Sequence, residues 1–181
     1  MNKTTCSIML AATMALSAIV GYSAAGDSKE DQTARMERLD WIKFQARLKS
    51  LKDAKYTIVD AWASNCGPCK ENFPHLLDMH KKYGAKGLKV VSLSLDDPSD
   101  QTAVGEAEKF LKQKNADIIN VLLDEDYGVG FEKLNISAIP AVFLFGPDGK
   151  EINRFTMDDP NNQFTYDQVE KAVAALLGAG S

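Results

Sequence analysis

A short hydrophobic segment of this chain runs almost directly into a pair of closely spaced cysteines, and this junction constrains the fold more than any other feature. Residues 56–62, YTIVDAW, combine β-branched and aromatic side chains over the length of a strand, which predicts a buried strand. The tetrapeptide Cys66-Gly67-Pro68-Cys69 follows after three residues. Beyond it, the spacing predicts a helix that opens at the cysteines. One face of that helix is formed by Phe73, Leu76, Leu77, His80 and Tyr83.

Two cysteines at the start of a helix form the arrangement that makes a reactive dithiol. The first amide groups of a helix have no intrahelical partner and the helix dipole is positive there, so a thiolate is stabilised. We therefore expect Cys66 to ionise more readily than a free cysteine and to be the attacking sulfur. Cys69 lies one turn later, within reach of the resulting mixed disulfide. Pro68 restricts the turn and lacks an amide hydrogen that the first helical turn would leave unpaired.

Two other uses of the cysteine pair compete with a redox role. An inert local disulfide needs nothing beyond Cys66 and Cys69. A zinc site needs two more ligands, and the only histidines, His75 and His80, give the compact spacing C-x2-C-x5-H-x4-H. Both histidines belong to the predicted helix, and we expect each side chain to be partly buried or in contact with solvent. The redox dithiol is the favoured interpretation, and no metal site is expected.

The first 25 residues have the three-part pattern of a secretory signal peptide. Met1–Lys3 is positively charged, residues 6–20 are mostly apolar, and Ser23-Ala24-Ala25 places small residues where a signal peptidase cuts. An uncleaved anchor is the alternative, although the apolar run is short for a membrane span. Cleavage would leave the mature chain with only the two cysteines of the tetrapeptide. We expect an exported protein, periplasmic or secreted, with no membrane attachment after cleavage, in an oxidising compartment.

After the signal peptide (1–25), the pattern predicts a polar lead-in over 26–40, with no obvious strand, and a single domain over 41–178. Strands alternate with helices, and a last helix opens at a capping box between Thr165 and Gln168. This order favours an α/β fold, a central mixed sheet with a parallel core and an antiparallel edge. The net charge of −4, without a basic cluster, gives no basis for nucleic-acid binding. The other predicted strands cover 88–95, 118–123, 141–145 and 151–155, and the other predicted helices begin at 41, 102 and 165.

The chain resembles the thioredoxin superfamily over nearly all of residues 40–178. The tetrapeptide at 66–69, preceded by VDAWA, is similar to the thioredoxin active-site strand and turn. Ile139-Pro140, before the segment AVFLF, resembles the cis-proline of that family, which lies against the CxxC and helps to bind an extended substrate. The resemblance also implies that Trp62 packs under the CxxC turn. A further helix and strand between Leu95 and Pro140 make the chain similar to the exported TlpA/ResA-type branch.

The resemblance implies an enzyme, an exported thiol-disulfide oxidoreductase that acts on protein disulfides. Its partners would be protein thiols and disulfides and a redox partner protein, and no cofactor is expected because the dithiol itself holds the electrons. Gly67 and Pro68 resemble the same positions of reducing members, which favours a reductant; a disulfide-forming oxidant of the same fold is the alternative. Gly67, Pro68, Trp62, Ile139 and Pro140 are therefore expected to shape the substrate site.

Three positions depart from the TlpA/ResA pattern. Asn72 stands where a glutamate is common, with Glu71 one residue earlier, and Asn65 replaces an aromatic residue beside the first cysteine. Asp60 stands where many members of the branch have asparagine, as in thioredoxin itself. Burial among apolar groups raises the pKa of a carboxylate. We therefore expect Asp60, rather than Glu71, to take the proton from Cys69.

Two relatives of this fold remain as weaker alternatives. Peroxiredoxin-type peroxidases carry Thr three residues before the reactive cysteine, whereas Ala63 and Cys66 hold those positions here. Copper-handling relatives use C-x3-C with a distal histidine, and no histidine lies beyond His80.

Overall fold

The computed structural model describes residues 35–51, 53–126 and 128–178, so the predicted signal peptide lies outside the described residues. Within these ranges the chain forms six strands and five α-helices. In chain order they are β1 (Glu37–Leu39), α1 (Trp41–Lys49), β2 (Tyr56–Trp62), α2 (Gly67–Tyr83), β3 (Leu88–Ser94), α3 (Gln101–Gln113), β4 (Ile119–Leu123), α4 (Val129–Leu134), β5 (Ala141–Phe145), β6 (Glu151–Phe155) and α5 (Tyr166–Gly178).

The strands form one mixed sheet in the order β1-β4-β3-β2-β5-β6. β1, β4, β3 and β2 run parallel, whereas β5 is antiparallel to β2 and to β6. The predicted parallel core with an antiparallel edge is confirmed. Because β5 runs against β2, with Ala61 opposite Ala141, the residues that precede β5 lie beside those that follow β2.

The sheet has a hydrophobic layer on each face. Alternate residues of β2 point to opposite sides, as strand geometry requires: Ile58 and Trp62 join one apolar cluster, and Val59 and Ala61 join the other. The first cluster contains buried residues of α2, α3 and α5, and the second contains those of α1 and α4. Asp60 lies between Ile58 and Trp62 in the strand and therefore faces the layer of α2 and α5.

Side-chain caps fix where two of the helices begin. Asp40 is the N-cap of α1, and its carboxylate accepts a hydrogen bond of 2.8 Å from the Lys43 amide. Before α5, the amide of Thr165 donates to Oε1 of Gln168 at 2.8 Å, which is the reciprocal half of the predicted capping box. The start of α5 is therefore set by its own sequence, and Tyr166 is the first residue of the helix.

Two elements differ from the prediction. The segment 26–40 was predicted as a lead-in without a strand, but Glu37–Leu39 forms β1 and pairs in parallel with β4. Its first two residues are exposed and charged, so this edge strand has no hydrophobic pattern. The short helix α4 was also missed, because its six residues are too few to show a helical period. No helix in the described ranges is long and apolar enough to cross a membrane.

Candidate active site

The cysteine pair lies at the beginning of α2, as predicted. Cys66 is the N-cap residue and forms a disulfide with Cys69. The amide of Cys69 points at Sγ of Cys66 over 3.2 Å, so the sulfur takes the place that an oxygen holds in an ordinary N-cap. Cys66 is half-buried, whereas Cys69 is 2% exposed. Cys66 is therefore the member of the pair that another molecule can reach.

Gly67 and Pro68 leave the disulfide open to solvent. Both residues are exposed, and Pro68 occupies the first turn of α2, where a missing amide hydrogen costs nothing. A Cβ atom at Gly67 would meet no heavy atom within 4 Å, so glycine is not required there for steric reasons. Its effect is to present a surface without a side chain beside the disulfide.

The segment before β5 lies against Cys66. The Ile139-Pro140 peptide bond is cis, which confirms the sequence prediction, and the carbonyl oxygen of Ile139 is 3.9 Å from Sγ of Cys66. Pro140 is buried and Ile139 is half-buried. The preceding loop is held from the next connection, since both the amide and the hydroxyl of Ser137 donate to Oδ1 of Asp158, at 2.7 and 2.8 Å. The strand order and these bonds bring the two predicted halves of the site together.

Trp62 ends β2 and is fully buried under α2. Its ring packs against Phe73 of α2 and Phe110 of α3, with centroid distances of 5.5 and 5.3 Å, and those two rings lie 5.2 Å from each other. Cys69 belongs to the same apolar cluster. Trp62 therefore forms part of the floor on which the first turns of α2 rest.

Asp60 is a carboxyl group buried in the apolar layer beneath α2 and α5. It is 1% exposed, and burial raises its pKa to about 7, although a hydrogen bond from Tyr166 opposes this rise. The Tyr166 hydroxyl donates to Oδ2 of Asp60 at 2.7 Å. No described residue donates a hydrogen bond to Oδ1. The prediction that Asp60 is buried with a raised pKa is confirmed, whereas its role in proton transfer stays a prediction.

A second carboxylate, Asp96, holds the loop that leads into the cysteines, and sequence reasoning missed it. Its oxygens accept hydrogen bonds from the amide and the hydroxyl of Ser64, at 3.0 and 2.7 Å, and from the hydroxyl of Ser94 at 2.7 Å. Asp96 follows β3, the parallel neighbour of β2. The carboxyl ends of two neighbouring parallel strands meet at one edge of a sheet, and this was the signal that could have found it.

Comparison with known proteins identifies the family. Residues 30–152 match the model of the AhpC/TSA family. The chain belongs to this family.

Relatives of this AhpC/TSA family member include thiol-disulfide oxidoreductases. The chain is 28% identical over 109 residues to the thiol-disulfide oxidoreductase ResA of Bacillus subtilis, an alignment that covers 60% of this chain and 56% of ResA. The chain thus spans little more than half the length of that relative. A structure from Chlorobium tepidum, provisionally identified as the thiol:disulfide interchange protein DsbE, matches with 29% identity and a TM-score of 0.58, covering 72% of this chain and 84% of the other.

The thioredoxin domain of a Bacteroides vulgatus thiol-disulfide oxidoreductase also matches, with 24% identity and a TM-score of 0.53, covering 70% and 84% of the two chains. The expected thioredoxin-like fold of this AhpC/TSA family member is therefore confirmed.

Two of the three departures from the TlpA/ResA pattern, Asn65 and Asn72, lie near the cysteines and outside the core, whereas the third, Asp60, is buried. Asn65 is exposed next to Cys66, and Glu71 is exposed one turn into α2. Asn72 donates from Nδ2 to the carbonyl oxygen of Pro68 at 2.9 Å and so ties the side of the first turn. His75 is exposed on α2. Over the described ranges, no group of three or more His, Cys, Asp or Glu side chains is arranged to hold a metal ion.

Proposed function

We propose that this chain is an enzyme, a thiol-disulfide oxidoreductase that exchanges the Cys66–Cys69 pair with disulfides of other proteins. The observation that carries the proposal is the placement of the pair at the start of α2, with an accessible Cys66 and a buried Cys69. An attacking sulfur has to reach a partner, whereas a resolving sulfur needs to reach only its neighbour. The naming of relatives as thiol-disulfide oxidoreductases agrees with this chemistry.

In the reducing direction, the reaction has two exchange steps. The Cys66 thiolate attacks one sulfur of a substrate disulfide; a bond forms between them, the substrate S–S bond breaks, and its other sulfur leaves with the electron pair and takes up a proton. Cys69 then gives up its proton and attacks Cys66. The Cys66–Cys69 disulfide forms, the second substrate sulfur leaves as a thiolate, and two electrons have passed to the substrate. A reducing partner protein must then renew the dithiol.

The local structure supports the assignment of the two sulfurs. The Cys69 amide directed at Sγ of Cys66, together with the positive end of α2, stabilises negative charge on that sulfur. Cys69 has no such exposure to partners, since it is packed in the apolar cluster with Trp62 and Phe73. The buried Asp60 lies in the layer under the same helix and is the group we assign to receive the proton of Cys69.

The substrate chain is expected to lie between the first turn of α2 and the segment before β5. Gly67 and Pro68 are exposed beside Cys66, and the carbonyl oxygen of Ile139 is 3.9 Å from its sulfur. An extended peptide with a disulfide fits such a site because its backbone can run beside Ile139 while its sulfur meets Cys66. Asn65 offers a hydrogen-bonding side chain to that peptide.

We further infer that the protein is exported and works as a reductant. Export is supported by the signal-peptide pattern at residues 1–25, and the reducing direction by the Gly67-Pro68 pair between the cysteines. A midpoint potential near or below about −230 mV is expected for a reductant, and a potential near about −120 mV would instead identify a disulfide-forming oxidant. The potential is measured by alkylation and mass shift in defined thiol buffers.

Trapping of the covalent intermediate tests the assignment directly. A Cys69→Ser variant should retain a protein disulfide substrate, such as insulin, in a mixed disulfide at Cys66, because the resolving sulfur is gone. A Cys66→Ser variant is the matched control and should trap nothing. Equal trapping by both variants would show that the sulfurs are misassigned. Failure of the unaltered protein to reduce insulin with dithiothreitol as electron source would overturn the proposed enzyme.

A further inference from the structure

The buried carboxyl of Asp60 has two oxygens in different surroundings. Oδ2 accepts the hydrogen bond of 2.7 Å from the Tyr166 hydroxyl, whereas Oδ1 accepts none from the described residues. Tyr166 comes from the far end of the chain, 106 residues after Asp60, and is itself 3% exposed. A buried polar contact between such distant elements is made only in the complete fold.

Tyr166 acts as a donor under all working conditions. Burial and the neighbouring Asp60 raise the pKa of the Tyr166 hydroxyl far above its usual value, so the hydroxyl keeps its proton. A tyrosine that cannot ionise does not compete with the carboxyl for a proton. Because the hydroxyl hydrogen points at Oδ2, that oxygen serves best as the carbonyl oxygen of a protonated carboxyl, and the acid proton belongs on Oδ1.

We propose that Tyr166 is a positioning residue for Asp60: its hydroxyl holds Oδ2 and reserves Oδ1 for the proton that leaves Cys69 when the mixed disulfide is resolved. This inference rests on the proposed function. In the step, the Cys69 S–H bond breaks and an O–H bond forms at Oδ1, while the Cys69 sulfur forms its bond to Cys66 and the substrate thiolate leaves. The proton then passes to solvent before the next turnover.

The surroundings of Asp60 leave the tyrosine as its hydrogen-bonding partner. Beside it in the sheet lie Ser92 of β3 and Val142 of β5, and the Ser92 hydroxyl is committed to Oδ1 of Asn120 at 2.8 Å. The titratable groups that face this layer from the helices packed on it include Cys66, Cys69, His75, His80 and Tyr83 of α2 and Tyr166 and Glu170 of α5.

The orientation of the Tyr166 ring is tied to the helix that carries the cysteines. His75 of α2 stacks on it, with ring centroids 5.8 Å apart and an angle of 26° between the planes. Glu170, one turn further along α5, is bound by Lys82 at 2.6 Å and by the Tyr83 hydroxyl at 3.1 Å, both at the end of α2. These contacts fix α5 against α2, so the hydroxyl of Tyr166 is held at Asp60 rather than free to rotate away.

The test compares Tyr166→Phe with Tyr83→Phe. Both variants lose one tyrosine hydroxyl and keep the ring, but the hydroxyl of Tyr83 binds Glu170 near the surface and not Asp60. The Asp60 carboxyl is titrated by 13C NMR in the disulfide form, and the rate of resolution of a mixed disulfide is measured against pH. Thermal unfolding checks that each variant is folded.

In Tyr166→Phe, we expect the pKa of Asp60 to rise by about one unit, because a hydrogen bond to the charged form is lost. The acid limb of the rate profile should move by the same amount, which makes resolution about tenfold slower at pH 6. Tyr83→Phe should change neither curve, and adding Tyr166→Phe to Asp60→Asn should shift the profile no further.

Three results would overturn the role of Tyr166. They are an Asp60 titration in Tyr166→Phe that coincides with that of the unaltered protein, a shifted titration with an unchanged rate profile, and an equal shift in Tyr83→Phe. The NMR titration does not require catalytic turnover, so it tests the effect of Tyr166 on Asp60 even if the protein shows no thiol-disulfide exchange. Absence of exchange in the unaltered protein would overturn the proposed function instead.

Discussion

The buried carboxyl of Asp60 should make the stability of the protein depend on pH in a direction opposite to that of an exposed, hydrogen-bonded aspartate. In the fold, its pKa is raised to about 7 by burial, whereas the ordinary value is 3.8. The folded protein therefore holds this proton over a range in which the unfolded chain has released it. The stabilising contribution of protonated Asp60 is therefore complete below about pH 4 and is lost as the pH rises to about 7.

The size of the effect follows from the two pKa values. Each unit of difference corresponds to about 1.4 kcal/mol, so ionisation in the buried site costs about 4 kcal/mol in full. The unfolded chain is already ionised at pH 5, and the folded pKa lies about two pH units higher. Above that pKa, Asp60 is ionised in both states, and its contribution to the free energy of unfolding no longer changes with pH. The free energy of unfolding should therefore fall by about 3 kcal/mol between pH 5 and pH 8.5 through Asp60 alone.

Substitution of Asp60 by asparagine isolates this contribution. The asparagine side chain still offers an oxygen to Tyr166, and any constant cost of burying its amide cancels when two pH values are compared. Denaturant unfolding with the disulfide intact gives the free energy at pH 5 and pH 8.5. Asp60→Asn should lose about 3 kcal/mol less than the unaltered protein over this interval.

Asp97 provides the control for that experiment. It is only partly buried, and hydrogen bonds from Ser99 lower its pKa, so it stays ionised throughout the interval. Asp97→Asn should therefore leave the slope between pH 5 and pH 8.5 unchanged. Parallel curves for the unaltered protein and Asp60→Asn would refute the reasoning, because they would mean that Asp60 ionises alike in the folded and unfolded chain.

Three further substitutions probe the framework of the site, each measured by denaturant unfolding. Asp96→Ala should lower the free energy of unfolding by about 3 kcal/mol, because it removes a buried acceptor and leaves Ser64 and Ser94 without their partner. Asp97→Asn should lower it far less. Equal losses in the two variants would contradict the role of Asp96 in holding the loop before Cys66. Gly130→Ala should cost about 1–3 kcal/mol, because its Cβ would lie 2.9 Å from side-chain atoms of Leu95 and Leu123. Gly105→Ala, in an open position of α3, should instead raise the free energy of unfolding by up to about 1 kcal/mol. A change of the same sign in both glycine variants would exclude the steric explanation for Gly130.

The parts of the fold that could be predicted are those in which local preference and tertiary environment agree. The bounds of β2, β5 and β6 match the prediction, because β2 and β5 are short segments rich in β-branched and aromatic side chains and β6 follows a tight turn. The position of the cysteines was also predictable. Because they lie between a predicted strand and a predicted helix, they had to fall at the beginning of that helix.

The parts that escaped prediction depend on contacts between distant segments. β1 is a strand only because β4 offers an open edge to it, as its own residues are largely polar. Tyr166 lies inside the predicted capping box, and nothing near it in sequence indicates that its hydroxyl reaches Asp60. Asp96 lies just beyond the predicted strand 88–95, and it holds the loop before Cys66 through hydrogen bonds to a segment that is distant in sequence.

The connection between Asp60 and Tyr166 also sets the order in which the site can mature. Asp60 belongs to the second strand and Tyr166 to the last helix of the described chain, while the cysteines and Ile139 lie between them. A chain emerging from its N-terminal side therefore has both sulfurs before the helix that encloses Asp60 exists. Until α5 docks, the carboxyl remains hydrated and keeps an ordinary acidity, so the proton acceptor of the site exists only after this last helix of the described chain has packed onto the sheet.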